Sequence, residues 1–215
     1  MRAFFLILAT CLAAGCAAGP STGSRQAPAD ERVLLDATSP VSWRVPGEGA
    51  FRGHGEVRFA DGEVRLGPGK PLTGLVWTGE FPRSDYEVQV QARRIVGGDF
   101  FCGMTFPVGP SHCTWIVGGW GGQVVGLSNV DGQSAAENAT TRRMPFETGR
   151  WYRFRLRVTG DRIACFIDGE RVIDQPRAGH AFNIWPQQEP CRPFGIAAYL
   201  TGSAVRSVTL RRLAE

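Results

Sequence analysis

The sequence predicts an all-β protein, a jelly-roll β-sandwich of two antiparallel sheets, from three observations. Apolar and polar residues alternate with a period of two in several segments, as they do in strands buried on one face. Turn dipeptides separate these segments, and helical spacing is never sustained after residue 33. About a dozen short strands with one apolar face each must bury that face against another sheet.

The strands can be assigned in chain order. Asp61-Gly62 predicts a hairpin between 57–60 and 63–66, and Asp168-Gly169 predicts one between 162–167 and 171–173. Strict alternation predicts strands over 86–93 and 152–158, the second with arginines on its polar side. Further strands are expected at 73–79, 99–106, 113–118, 123–128, 193–200 and 204–211. Helix is expected to be limited to a turn or two, at Ser134 to Asn138.

The amino-terminal segment resembles the signal peptide and lipobox of bacterial lipoproteins. Met1-Arg2 is followed by an apolar stretch, and Leu12-Ala13-Ala14-Gly15 places small residues before Cys16. The apolar run is shorter than the roughly 20 residues that cross a bilayer. The resemblance implies removal of residues 1–15, acylation of Cys16, a flexible tether over 16–32 and a domain over 33–215. We therefore expect an exported protein, lipid-anchored in the cell envelope, with the outer membrane favoured.

The charge balance argues against a nucleic-acid partner. The chain has 24 basic and 20 acidic residues, and loss of the signal peptide removes Arg2 alone. Proteins that bind nucleic acid carry a larger and more clustered positive charge. We interpret the arginines in strand-like segments as solvated faces, with an anionic site as the alternative.

The cysteines beyond the export segment predict disulfides. They are Cys102, Cys113, Cys165 and Cys191, an even number in a compartment that permits oxidation. Cys102 and Cys113 flank a turn-rich stretch at 107–110, so a Cys102–Cys113 bridge is favoured, which leaves Cys165–Cys191. A zinc site with histidine ligands and free buried thiols remain as alternatives.

The order of several short segments resembles a known superfamily. These are Asp85-Tyr86-Glu87-Val88, Gly149-Arg150-Trp151-Tyr152, Asp168-Gly169, Gly195-Ile196 and the closing stretch from Val205 to Leu213. Together they resemble the concanavalin A-like lectins and glucanases, and within them the 3-keto-disaccharide hydrolase domain, over residues 33–213. The resemblance implies two curved sheets with sugar-like ligands on a concave side. The chain differs from the usual pattern of that domain at 100–103 and 118–122.

A single tryptophan among glycines is the leading candidate for a ligand site. Gly118-Gly119-Trp120-Gly121-Gly122 allows a sharp backbone turn and leaves the indole accessible for stacking on a sugar ring. The alternative is a bulge whose tryptophan packs in the core. Trp185, in a proline-rich loop, is expected at the rim of the same cleft.

A polar loop follows this motif. Its oxygen-bearing side chains are those of Asn129, Asp131, Glu137, Asn138 and Thr140. They are candidates for binding sugar hydroxyls or, alternatively, calcium, which takes six to eight oxygen ligands. The other interpretation is a solvated loop with an Asx turn. We expect no obligatory cofactor, with calcium as the possible exception.

Catalytic motifs are scarce. The Glu-x-Asp-x-x-Glu strand motif of laminarinase-type relatives is absent from the sequence. If the protein is an enzyme, Asp131 and Glu137 are the candidate acid–base pair, with His112 as a third member. The sequence therefore favours a carbohydrate-recognition module on a lipoprotein. The alternatives are a glycoside hydrolase of the 3-keto-disaccharide hydrolase type and an assembly lipoprotein that docks to envelope partners.

Overall fold

A computed structural model describes residues 31–36, 42–47 and 50–214, which form two antiparallel β-sheets stacked on a common core. The export segment, Cys16 and almost all of the expected tether lie outside these residues. No helix within the described part of the chain is long and apolar enough to cross a membrane.

The larger sheet has eight strands. Its strands run in the order β13-β12-β11-β6-β15-β4-β3, and β1 also pairs with β15. Their bounds are β1 Glu31–Leu35, β3 Val57–Ala60, β4 Glu63–Leu66, β6 Tyr86–Val96, β11 Tyr152–Val158, β12 Arg162–Ile167, β13 Glu170–Pro176 and β15 Gly202–Arg212.

The smaller sheet has seven strands in the order β10-β9-β8-β7-β14-β5-β2. Their bounds are β2 Trp43–Arg44, β5 Leu72–Trp77, β7 Gly103–Val108, β8 Ser111–Gly118, β9 Val124–Ser128, β10 Arg142–Arg143 and β14 Phe194–Tyr199. A tight turn at Gly119–Gly122 connects β8 to β9, and a 3-10 helix at Pro186–Cys191 lies between β13 of the larger sheet and β14.

The core lies between the two sheets and is built by alternation. Along β11, Phe154 and Leu156 point inward and are buried, while Arg153 and Arg157 point outward. From the smaller sheet, Trp115 meets Phe154 edge to face, with ring centroids 5.7 Å apart. Burial of these aromatic and aliphatic side chains is the main favourable term for the fold.

The structure confirms the all-β prediction and both Asp-Gly hairpins. Asp61, Gly62, Asp168 and Gly169 all have positive φ angles, as hairpin turns of two residues require. The short strands β1, β2 and β10 and the 3-10 helix were not predicted. The expected helix near Ser134 is a turn, closed by bonds from the backbone N–H groups of Glu137 and Asn138 to the Ser134 carbonyl.

The predicted disulfides are wrong. All four cysteines are free and buried. In the β7–β8 hairpin Cys113 lies opposite Phe106, which places Cys102 four residues out of register, about 13 Å along the strand. Disulfides need Cα atoms within about 7 Å. Cys165 belongs to the larger sheet, whereas Cys191 packs on the outer face of the smaller one. Burial raises the pKa of the Cys113 and Cys191 thiols to about 12.

Candidate functional site

The smaller sheet is covered on both faces. Its strands β5, β7 and β9 are buried at every position, since one side meets the core and the other meets a second apolar cluster. We call this second group the outer cluster. Its buried members are Phe51, Leu72, Phe100, Ile116, Val124, Ala135, Cys191 and Ala197. Because loops cover this face of the sheet, a pocket can form between the loops and the strands while the strands stay buried.

Glycines on the outer face let the covering loops lie directly on the sheet. A Cβ atom at Gly126 would stand 2.5 Å from the carbonyl oxygen of Ala135, and one at Gly195 would stand 2.6 Å from that of Cys191. Neither distance is compatible with a side chain. The loop around Ala135 and the 3-10 helix therefore form a layer in contact with the strands.

A cavity of about 400 Å³ opens between this layer and the sheet. Its lining residues are Asp99, Phe100, Ile116, Trp120, Ser128, Asn129, Ser134, Trp185, Gln188 and Tyr199. Ile116 and Ser128 project from β8 and β9 and form the floor. Four aromatic side chains form much of the wall, and the rings of Phe100 and Tyr199 stack with centroids 5.6 Å apart. The volume lies within the range of small-molecule sites, roughly 300–1,000 Å³.

The turn at Gly119–Gly122 places Trp120 on this wall. Gly118, Trp120, Gly121 and Gly122 all have φ angles in the left-handed region, between 47° and 91°. Glycine adopts such angles without penalty, whereas tryptophan does so at a cost in strain. The Trp120 ring remains 48% exposed, so it does not pack in the core.

Arg94 holds the turn in place from beneath. Its guanidinium is buried, donates from Nη2 to the Gly122 carbonyl at 3.1 Å and lies over the Phe101 ring at 5.2 Å. A Cβ atom at Gly118 would come within 2.8 Å of Nη2, so this glycine makes room for the arginine. Desolvation lowers the pKa of Arg94. Nothing in the sequence indicates this role, because Arg94 falls within an ordinary run of strand residues.

Most polar side chains of the predicted loop form hydrogen bonds that stabilise the loop itself. Asn138 is buried and donates from Nδ2 to the Leu127 carbonyl at 2.7 Å, while its Oδ1 accepts from the Thr140 hydroxyl at 2.6 Å. Glu137 accepts hydrogen bonds from the backbone N–H and hydroxyl of Ser134. These two bonds lower the pKa of Glu137. Asn138, Thr140 and Glu137 are therefore bonded within the loop and do not line the cavity.

The three candidate catalytic residues are not brought together. Asp131 is exposed outside the cavity lining and accepts hydrogen bonds from the Ala181 N–H and the His180 ring, which lower its pKa. His112 is buried, and its Nδ1 accepts a hydrogen bond from Arg192 at 3.3 Å. Burial and the positive charge of Arg192 lower the pKa of His112 to about 4.

Three of the predicted ligand-binding residues do meet at the cavity, namely Trp120, Asn129 and Trp185. The sequence missed the residues that complete it, among them Asp99, Gln188 and Tyr199. Asp99 follows a Gly-Gly pair after β6, a weak signal for a loop that turns toward a site. Among the described residues no cluster of three or more His, Cys, Asp or Glu side chains is placed to hold a metal ion.

Solved structures share this fold at low sequence identity. The carbohydrate binding module CBM66 from Bacillus subtilis is 13% identical, with a TM-score of 0.52 over 79% of this chain and 95% of that one. The carbohydrate recognition domain of Emp46p is 14% identical, with a TM-score of 0.53 over 81% and 90%. SCLam, a non-specific endo-beta-1,3(4)-glucanase from family GH16, is 12% identical, with a TM-score of 0.54 over 86% and 92%.

These likenesses establish a concanavalin A-like jelly-roll sandwich as the fold. No curated protein sequence matches the chain. The model of one domain family, the 3-keto-alpha-glucoside-1,2-lyase-like domain, matches residues 30–211. The chain belongs to this family, in agreement with the resemblance seen in its sequence.

Proposed function

We propose that the protein is a carbohydrate-recognition domain carried on a cell-envelope lipoprotein, with the cavity on the smaller sheet as its binding site. The observation that carries the proposal is the ring of four aromatic side chains, Phe100, Trp120, Trp185 and Tyr199, around a cavity of about 400 Å³. Sugar rings present flat C–H faces, and aromatic rings stack on them while hydroxyl groups bond at the edges. The size of the cavity suits one or two sugar units.

The exposure and strain of Trp120 support this assignment. A large apolar side chain that is 48% exposed, and held at a left-handed φ of 47°, has no packing reason to be there. Backbone strain of this kind concentrates at functional sites. The comparisons add support, because a carbohydrate binding module and a carbohydrate recognition domain share the fold.

The acidic groups favour recognition over hydrolysis. Glycoside hydrolysis by two carboxyl groups needs them on either side of the scissile bond, about 5–10 Å apart. Asp99 is the one carboxylate among the residues that line the cavity. Asp131 and Glu137 are bonded elsewhere, and their lowered pKa values are the opposite of what a general acid requires. Cleavage of a glycosidic bond, which the family name suggests, is the second candidate.

The position of β1, the first described strand, supports a role at a membrane surface. The described chain begins at Glu31, which pairs with Arg211, and Arg211 pairs with Glu87 near the start of β6. The other end of β6, at Val96, leads into the segment with Asp99. Nine residues of strand separate these ends by about 30 Å. A lipid anchor attached through β1 would therefore enter the domain at the end of the sheet away from the segment with Asp99.

The substitution Trp120→Ala tests the binding site. Loss of one stacking ring should weaken glycan binding about tenfold, equivalent to roughly 1–2 kcal/mol, and leave the melting temperature within about 2 °C. A glycan array would identify the ligand, and calorimetry would measure its affinity for both proteins. Trp151→Ala is the matched control, since Trp151 immediately precedes β11 of the other sheet, contacts Arg93 and Arg206 there, and should not affect binding.

Two results would contradict the proposal. One is the absence of binding to any glycan by the wild-type protein, and the other is an equal loss of binding in both tryptophan variants. Release of sugar in a parallel hydrolysis screen, abolished by Asp99→Asn, would favour the second candidate function. A Cys16→Ser variant that stayed in the membrane fraction would overturn the lipid anchor.

A further inference from the structure

The polar groups around the cavity differ in how far they are already bonded. Asn129 donates from Nδ2 to Asn183 at 2.9 Å, and its Oδ1 accepts from the Ser128 hydroxyl at 2.8 Å. The Ser134 hydroxyl donates to Glu137 at 2.6 Å. These side chains stabilise the walls of the cavity and have little capacity left for a ligand.

Gln188 differs from these side chains. It lies in the 3-10 helix, lines the cavity and is fully buried, yet neither its Nε2 nor its Oε1 has a hydrogen-bond partner within the described structure. A Cβ atom at Gly103 would stand 3.0 Å from Nε2, so the amide rests on the strand at a position where no side chain intervenes. Buried polar groups without partners are rare, and each needs an explanation.

Asp99 supplies a second free group. Its Oδ1 accepts the Phe100 N–H at 2.7 Å, and its Oδ2 forms no hydrogen bond with the described residues. Phe100 follows Asp99 in the sequence, and its ring lies near the Gln188 amide. A Cβ atom built at Gly103 would touch both the Phe100 ring and that amide. A ligand seated on the aromatic wall would therefore have a carboxylate and an amide within the same cavity.

We propose that Gln188 is the specificity-determining residue of this cavity and that its amide binds two adjacent hydroxyl groups of one sugar ring. Nε2 donates to one hydroxyl oxygen and Oε1 accepts from its neighbour, while Asp99 accepts from a third hydroxyl. An amide matches such a diol because its donor and acceptor lie side by side. The ligand class is thus a sugar unit with an unsubstituted vicinal diol. This inference rests on the proposed function.

A deoxy-sugar series with one variant tests this inference. Calorimetry would first measure wild-type binding of the methyl glycosides of glucose, galactose, mannose and xylose, and then of the monodeoxy forms of the best binder. Loss of either hydroxyl of one adjacent pair should weaken wild-type binding at least tenfold, because the amide is then left unpaired. Gln188→Met, of similar length but without polar atoms, should bind the parent sugar at least tenfold more weakly and no longer distinguish the two deoxy forms.

Thermal melting separates recognition from a structural role. Gln188→Met removes two unpaired polar atoms, so its melting temperature should equal or exceed that of the wild type. Gln175→Met is the matched control, a buried glutamine outside the cavity lining whose Nε2 donates to the Pro176 carbonyl at 2.9 Å. It should keep the wild-type affinity.

The outcomes distinguish this inference from the proposed function. If the wild type binds one of the sugars and Gln188→Met binds it equally well, the role of Gln188 is refuted while the binding site stands. A lowered melting temperature with unchanged deoxy-sugar discrimination would refute it as well. If the wild type binds none of the sugars, both the site and the role of Gln188 are overturned.

Discussion

The outer faces of the two sheets are covered in different ways. On the larger sheet, charged side chains cover the strands and pair with one another. Glu87 is buried there because Arg155 and Arg211 both reach its carboxylate, at 3.2 and 3.0 Å. On the smaller sheet, loops and apolar side chains cover the strands and leave a cavity between them. The second arrangement lines its cavity with four aromatic side chains.

Two tryptophans, one beside each sheet, illustrate this difference between the outer faces. Trp151, on the larger sheet, has the guanidinium groups of Arg93 and Arg206 over its ring, at 4.7 and 4.1 Å from the centroid. These contacts occupy the ring through cation–π attraction. Trp120, at the cavity, is exposed instead. An aromatic side chain near the surface is therefore a candidate for sugar stacking only where its faces remain free.

The largest expected effect is on the core that both sheets share. Leu156→Ala should lower the free energy of unfolding by about 2–5 kcal/mol, because Leu156 is fully buried between the sheets. Arg157→Ala, one residue further along β11 and exposed, should stay within about 0.5 kcal/mol of the wild type. Urea denaturation of the two variants measures both. Similar losses would mean that β11 does not face the core in this register.

The fold was predictable where one face of a strand meets water. On β6 and β11 the alternation of apolar and charged residues gave both the strands and their inward sides. The smaller sheet shows little alternation because both of its faces are buried. Its main strands were still predicted from apolar content and turns. The disulfide failed because the Cys102–Cys113 prediction placed both residues beside the turn without counting the register from it.

The site was predictable only in part. The glycines around Trp120 marked a backbone that needs left-handed angles, which sequence can reveal. The polar loop was a poorer guide, since Asn138 and Thr140 bond to each other and to Leu127. Gln188 was not predicted because nothing local distinguishes it. Its position in the cavity depends on how the 3-10 helix lies on the sheet, which is a matter of tertiary packing.

A smaller effect on the free energy of unfolding should appear when the pH is lowered, because His112 lies buried on the covered face of the smaller sheet. The pKa of His112 is about 4 in the folded protein, below its ordinary value of 6.5. Between these values the unfolded chain binds a proton that the folded one does not, so stability should fall as the pH drops from about 6.5 to about 4. The loss is at most about 3 kcal/mol. His112→Gln should flatten this dependence in urea denaturation between pH 5 and 7, and an unchanged slope would contradict it.

The smallest effect tests whether the covering layer rests on the sheet. In Gly126→Ala the new methyl group would meet the Ala135 carbonyl oxygen at 2.5 Å, so either β9 or the loop must move. We expect a loss of about 1–3 kcal/mol, measured by thermal melting. Gly160→Ala is the control, since nothing lies within 4 Å of its Cβ position.

The same pair of variants connects the layer to the cavity. Ser134, next to Ala135, lines the cavity, so movement of the loop in Gly126→Ala should also weaken glycan binding, whereas Gly160→Ala should not. Calorimetry with the ligand of the wild type measures this. If Gly126→Ala melts and binds as the wild type does, the loop does not contact the sheet at Gly126. The contrast between a charged open face and a covered face would then lose its structural basis.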